Sequence, residues 1–223
     1  MTIRTVAFVP AAPLLVTPVA GGSAPEDAEL RNAALTAVGR ATDGVDKVVV
    51  VAGIEPAGTW QADVTWDFTG FGVPRVPADR RSRLPWPLGI GAWLLDEAGW
   101  DGPRRYLGVG TESAAPGPVA ADAETALVVV GDGSARGAER APGYLDERAE
   151  GFDRAVAEML ADGDIKGLGD LDATLASELM CCGLAPWHSV AGALAGATVV
   201  AAELLADTAP YGVSYFVALW SVA

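Results

Sequence analysis

Apolar positions fall along this chain in short blocks that switch between two patterns. Residues 5–9, 47–52 (KVVVVA), 106–109 and 126–130 are continuous runs rich in β-branched side chains, the pattern of strands buried on both faces. Residues 24–41 (APEDAELRNAALTAVGRA) place acids early and a base late, as a helix dipole favours. Residues 88–98 predict a second helix closed by Gly99, and residues 147–162 space Phe152, Val156, Met159 and Leu160 on one helical face. Two more helices are expected at 168–182 and 187–195, separated by the turn at 183–186. Strands at 198–206 and 212–222 flank the DTAPY turn at 207–211 and predict a hairpin. The aromatic, glycine-rich stretch 59–76 reads as strands or a long loop.

Strands alternating with helices predict a layered α/β fold, and the final hairpin makes its sheet mixed. The expected unit is one domain over residues 1–223. At 51% hydrophobic and 20% charged, the chain can bury a sizeable core. A formal charge of −14 argues against nucleic acid as a partner, because backbone affinity comes from Lys and Arg neutralising phosphates. No run approaches the length of a membrane span and no basic, apolar leader opens the chain, so a cytoplasmic protein without membrane contact is expected. The two cysteines, Cys181 and Cys182, are neighbours and are read as reduced thiols.

Two of the predicted strands end in Pro, Gly or Asp, where an α/β sheet delivers its loops. The residues found there include Ala11, Ala12 and Ala135, which can neither bind a metal nor move a proton, and the chain holds one histidine, His188. The loop at 131–137 (GDGSARG) presents Asp132, Ser134 and Arg136 after a buried strand. It could hold an anionic ligand through its backbone N–H groups and Arg136, or serve only as a polar loop. It is no nucleophile elbow, since Asp132 and Arg136 stand where glycines are needed. His188 and Cys182 read either as reactive groups in a cleft or as packed structural residues. Glu55, Asp132, Arg136, Glu139, Arg140 and Tyr144 read as a cluster at the same edge or as a salt-linked network. Seven tryptophans, among them Trp60, Trp66, Trp86 and Trp187, line an aromatic pocket or anchor the core.

The opening VPAAPLLVTPVAGG resembles the P-H-P-P-L-L start of the class III extradiol dioxygenase catalytic subunits, the LigB-like proteins related to the Memo family. GDGSARGAERAPGYLDERAEGFDRAVAEML, LAPWHSVAGAL and AELLADTAPYGVSYFVALW are similar to the actinobacterial LigB-like branch. The resemblance implies a three-layer αβα sandwich around a mixed sheet. It also implies Fe(II) held by two histidines and a glutamate, a further acid/base histidine, and cleavage of catechol rings with O₂. On this chain the first ligand position falls on Ala11, the second near Ile54 or Glu55, and the acid/base position on Ala135; Glu203 is the nearest carboxylate, and Cys182 lies about where Memo relatives place a cysteine ligand. The expectation is a scaffold that has lost its iron and ring cleavage, with no cofactor of its own. Its cleft would keep a small aromatic or anionic ligand around Ala11, Glu55, Asp132, Ser134 and Arg136, or the chain would act as a partner subunit or homo-oligomer. The alternatives are altered chemistry through Asp132, Ser134, His188 or Cys182, or an extradiol-type reaction on non-standard ligands.

Overall fold

Four uninterrupted apolar strands form the middle of the molecule. The computed structural model describes residues 2–21, 25–61, 63–74, 81–110 and 124–223. Its strands are β1 (Thr2–Val9), β2 (Lys47–Gly53), β3 (Gly58–Trp60), β4 (Val64–Thr65), β5 (Ser82–Arg83), β6 (Arg104–Val109), β7 (Glu124–Val130), β8 (Val199–Thr208) and β9 (Tyr215–Val222). Seven of them make one sheet in the order β3-β6-β2-β7-β1-β9-β8, and β4 and β5 pair separately. The β6-β2-β7-β1 block is parallel, whereas β3, β9 and β8 pair antiparallel. Val48, Val50, Val51, Leu127, Val128 and Val129 are wholly buried, as covering helices on both faces require.

The helices are α1 (Thr17–Ala20), α2 (Pro25–Thr42), α3 (Trp86–Glu97), α4 (Arg148–Asp162), α5 (Ile165–Gly169), α6 (Ala173–Glu178) and α7 (Leu184–Ala193). Leu30, Ala34, Val38 and Ala41 of α2 recur at helical spacing and share one core with Leu88, Ile90 and Leu94 of α3. Phe152, Val156 and Leu160 of α4 pack with Trp187 and Val190 of α7 in a second core on the opposite face. The result is the three-layer α/β sandwich expected. Each fully buried Leu or Val adds roughly 1.5–3 kcal/mol of transfer free energy. Trp220 spans to the α4 layer, its Nε1 donating to the Leu160 carbonyl at 2.7 Å while its ring meets Phe8 edge-on at 4.7 Å.

Two predicted elements are corrected, the first being the turn at 183–186, most of which is the first turn of α7 beginning at Leu184. Residues 168–182 are not one helix: Gly169 ends α5, Asp172 starts α6 by accepting the Thr174 and Leu175 N–H groups, and Met180 adopts φ 58°. Side-chain capping at Asp172 competes with continued helix and resets the chain direction. Residues 59–76 form β3, β4 and a 3₁₀ turn at Thr69–Phe71, with residues 62, 75 and 76 outside the described set; so is Ala24, the expected start of α2. Among the described residues, no helix is long and apolar enough to cross a membrane.

Candidate functional site

The connections out of β1 and β7 part at the carboxyl edge of the sheet. β1 feeds α2 on one face of the sheet, while its neighbour β7 leads to α4 on the other. Loops that leave adjacent parallel strands for opposite faces part from each other, and open α/β sheets bind ligands at such switch points. Val9 and Ala52 both pair with Val130, so the ends of β1, β7 and β2 are level.

Asp132 stands at that edge. Its Oδ1 accepts the Ala11 N–H at 2.7 Å, and its backbone N–H donates to Cys182 Sγ at 3.2 Å. The Asp132 carbonyl accepts from Cys181 Sγ at 3.3 Å and from the Gly183 N–H at 2.9 Å. Burial raises the Asp132 carboxyl pKa to about 7, opposed by the Ala11 N–H and the Cys182 thiol. Burial pushes the Cys181 thiol up to about 12. Cys182 is exposed as a residue, yet desolvation of its inward-turned sulfur, and then the Asp132 charge, hold its thiol well above the ordinary range. Both cysteines therefore remain neutral thiols near neutral pH, and neither is an activated nucleophile.

Tyr215 completes the wall. It is buried at the head of β9, and its phenol pKa is raised by burial and then by the charges of Asp132, Tyr211, Asp27 and Cys182. Tyr211, in the β8–β9 turn, donates its hydroxyl to Asp27 at 3.1 and 3.2 Å from the two carboxylate oxygens. Asp132 thus stands at the strand ends with its carboxyl on the Ala11 N–H and beside the Cys182 thiol, among the buried methyls of Ala11 and Ala12.

Several residues expected at this edge are elsewhere. Ser134 Oγ and N–H bond Asp153 of α4 at 2.5 and 2.8 Å, and Ser214 Oγ joins the same carboxylate at 2.7 Å. The Ser134 hydroxyl is thereby committed to the α4 layer. Arg136 lies 3.7 Å from Asp146, with its Nε buried and without a hydrogen-bond partner, so the expected anion-holding fork is drawn toward an acid. Glu55 is exposed beyond β2 on the β6 side, next to Gly110. Glu139, Arg140 and Tyr144 are exposed, whereas Asp132 is buried. His188 sits on α7 with Nε2 buried and unpartnered. Glu203 is on the outer strand β8, ion-paired with Arg40 at 2.8 Å. Trp187 is core, Trp66 and Trp86 belong to a separate aromatic group with Phe68 and Phe71, and no shared tryptophan pocket forms among the described residues.

Asp27, Asp153, Tyr211 and Tyr215 were not legible as site residues. A usable signal existed for Asp153, which follows Phe152 and flanks the apolar stripe of α4 one turn after Ala149. On that side a groove of about 630 Å³ is lined by acids including Asp146, Glu150, Asp153 and Asp207.

The donor set at the crevice does not fit iron held by two histidines and a carboxylate. Ala11 contributes only a backbone N–H, Asp132 spends an oxygen on it, and among the described residues no three His, Cys, Asp or Glu side chains converge to hold a metal ion. No protein-family model matches the chain, and no curated protein matches it.

Proposed function

We propose that this chain is a LigB-like, Memo-related dioxygenase scaffold that has exchanged its iron site for a ligand-binding crevice between β1 and β7, working in the cytoplasm without ring cleavage. The ligand is a small uncharged aromatic molecule bearing a hydroxyl. The observation that carries this reading is the Asp132 contact with Ala11 at the switch point: the residue at a metal-ligand position in the resemblance instead donates to a buried carboxyl. Below about pH 7 that carboxyl is a neutral acid able to donate to a hydroxyl oxygen, and above it a pure acceptor. The crevice walls named above supply acids, phenols and methyls, with Arg136 engaged elsewhere, which favours a neutral ligand over an anionic one.

A second reading rests on the same carboxyl. With burial raising its pKa to about 7 at the carboxyl edge of the sheet, Asp132 suits general acid/base work, so altered chemistry at this edge is the alternative. Calorimetric titration at pH 6.5 with catechol and with protocatechuate tests the proposal, alongside an absorbance assay after anaerobic Fe(II) loading. The expected result is binding of catechol, weaker binding of the carboxylate-bearing protocatechuate, and no yellow ring-fission product. Ring fission, or tighter binding of protocatechuate, overturns it.

A further inference from the structure

We propose that the Tyr211–Asp27 contact is a latch that closes the crevice, an inference resting on the crevice being a binding site. The β8–β9 turn and the start of α2 approach from different sides of the β1 end, and Tyr211 joins them through its hydroxyl on both oxygens of Asp27. Tyr211 itself is 48% exposed, whereas Asp27 is 5% exposed, so a mobile-length surface side chain caps a buried acid. A carboxylate in the first turn of a helix is also favoured by the unpaired N–H groups there.

The position of this contact gives it a gating role. β9 runs antiparallel to β1 with Ala218 opposite Phe8, so the β8–β9 turn that carries Tyr211 lies at the same strand end as Ala11 and its bond to Asp132. The turn carrying Tyr211 is anchored independently, because the Gly137 N–H bonds the Gly212 carbonyl at 2.9 Å and the Ser214 N–H bonds the Ser134 carbonyl at 2.9 Å. Releasing Tyr211 therefore needs rotation of one side chain, with the backbone of the turn left in place. An exposed side chain makes such rotations on the fast timescale of surface rotamers, slowed here by one charge-assisted hydrogen bond.

Residue-resolved amide hydrogen exchange on the ligand-free protein tests this, so the outcome does not depend on which ligand binds. The probe is the Ala11 N–H on Asp132; the Gly131 N–H on the Val9 carbonyl and the Gly137 N–H on the Gly212 carbonyl are controls. Tyr211→Phe is expected to speed Ala11 exchange about tenfold or more, the effect of losing a hydrogen bond to a charged group, with both controls unchanged. In an Asp27→Ala background the same substitution is expected to add nothing. Unchanged Ala11 exchange overturns the latch, and so does a parallel rise at Gly131 or Gly137, which reports loosening of the strands or the whole turn. Failure of catechol to bind would instead count against the binding reading and leave these exchange rates as they are.

Discussion

The Ala11 N–H and the Asp132 carboxylate, 121 positions apart in sequence, meet at 2.7 Å where two adjacent strands send their chains to opposite faces of the sheet. That bond ties the α2 side of the molecule to the loop that leads to α4, and it does so with a group whose charge changes near neutral pH.

The charge change has a signed effect on stability. Asp132 loses its proton at about pH 7 when folded but near pH 4 when unfolded. Its favourable contribution is therefore complete below about pH 4 and is lost as pH rises through about 7. In urea unfolding from pH 4 to 8, the natural chain should lose up to about 4 kcal/mol relative to Asp132→Asn. Asp146, held down to about 2 by Arg148, titrates in both proteins and cancels from the difference. Parallel curves for the two proteins would contradict the burial of Asp132.

Asp153 is the acceptor that fastens the 131–137 loop and the head of β9 to α4. Asp153→Ala strands the Ser134 N–H and hydroxyl and the Ser214 hydroxyl, and should cost about 3–5 kcal/mol by urea denaturation. Asp153→Asn keeps one carbonyl oxygen as acceptor and should cost less than the Ala variant. Equal losses in the two variants would show that packing, and not the shared acceptor, holds the loop.

Backbone approach at the crevice floor predicts a contrast between two glycines. A Cβ on Gly131 would stand 2.5 Å from Gly183 Cα, where no side chain can yield, whereas a Cβ on Gly39 in α2 meets nothing within 4 Å. Gly131→Ala should destabilise by about 1–3 kcal/mol, and Gly39→Ala should stabilise by about 0.5–1 kcal/mol. Thermal unfolding of the two variants would reveal any reversal of sign.

Arg136 is expected to be dispensable for the ligand. Its partner is Asp146 and its surroundings are half-exposed, so Arg136→Ala should leave catechol affinity unchanged and shift stability by no more than about 1 kcal/mol. A loss of affinity on calorimetric titration would return Arg136 to the site.

The fold was legible because its signal is local. Runs such as KVVVVA and LVVV announce strands whatever surrounds them, and the stripe in α4 announces its buried face. The site was legible only at Ala11, Asp132 and Cys182, which lie at strand or helix ends that the pattern locates. Tyr215 and Asp27 look like a strand residue and a helix-start acid, and only the meeting of β9, α2 and β1 makes them neighbours. Ser134 and Arg136 misled for a related reason. The loop at 131–137 turns within two residues of Asp132, and Asp153 and Asp146, both outside that loop, capture their side chains.

The measurement closest to the central claim is amide chemical-shift mapping of the ¹⁵N-labelled protein titrated with catechol at pH 6.5. Saturable shifts are expected to gather at Ala11, Ala12, Asp132, Cys182 and Tyr215 and to weaken in Asp132→Ala. Shifts confined to the acidic groove around Glu150 and Asp207, or none at all, would contradict that claim.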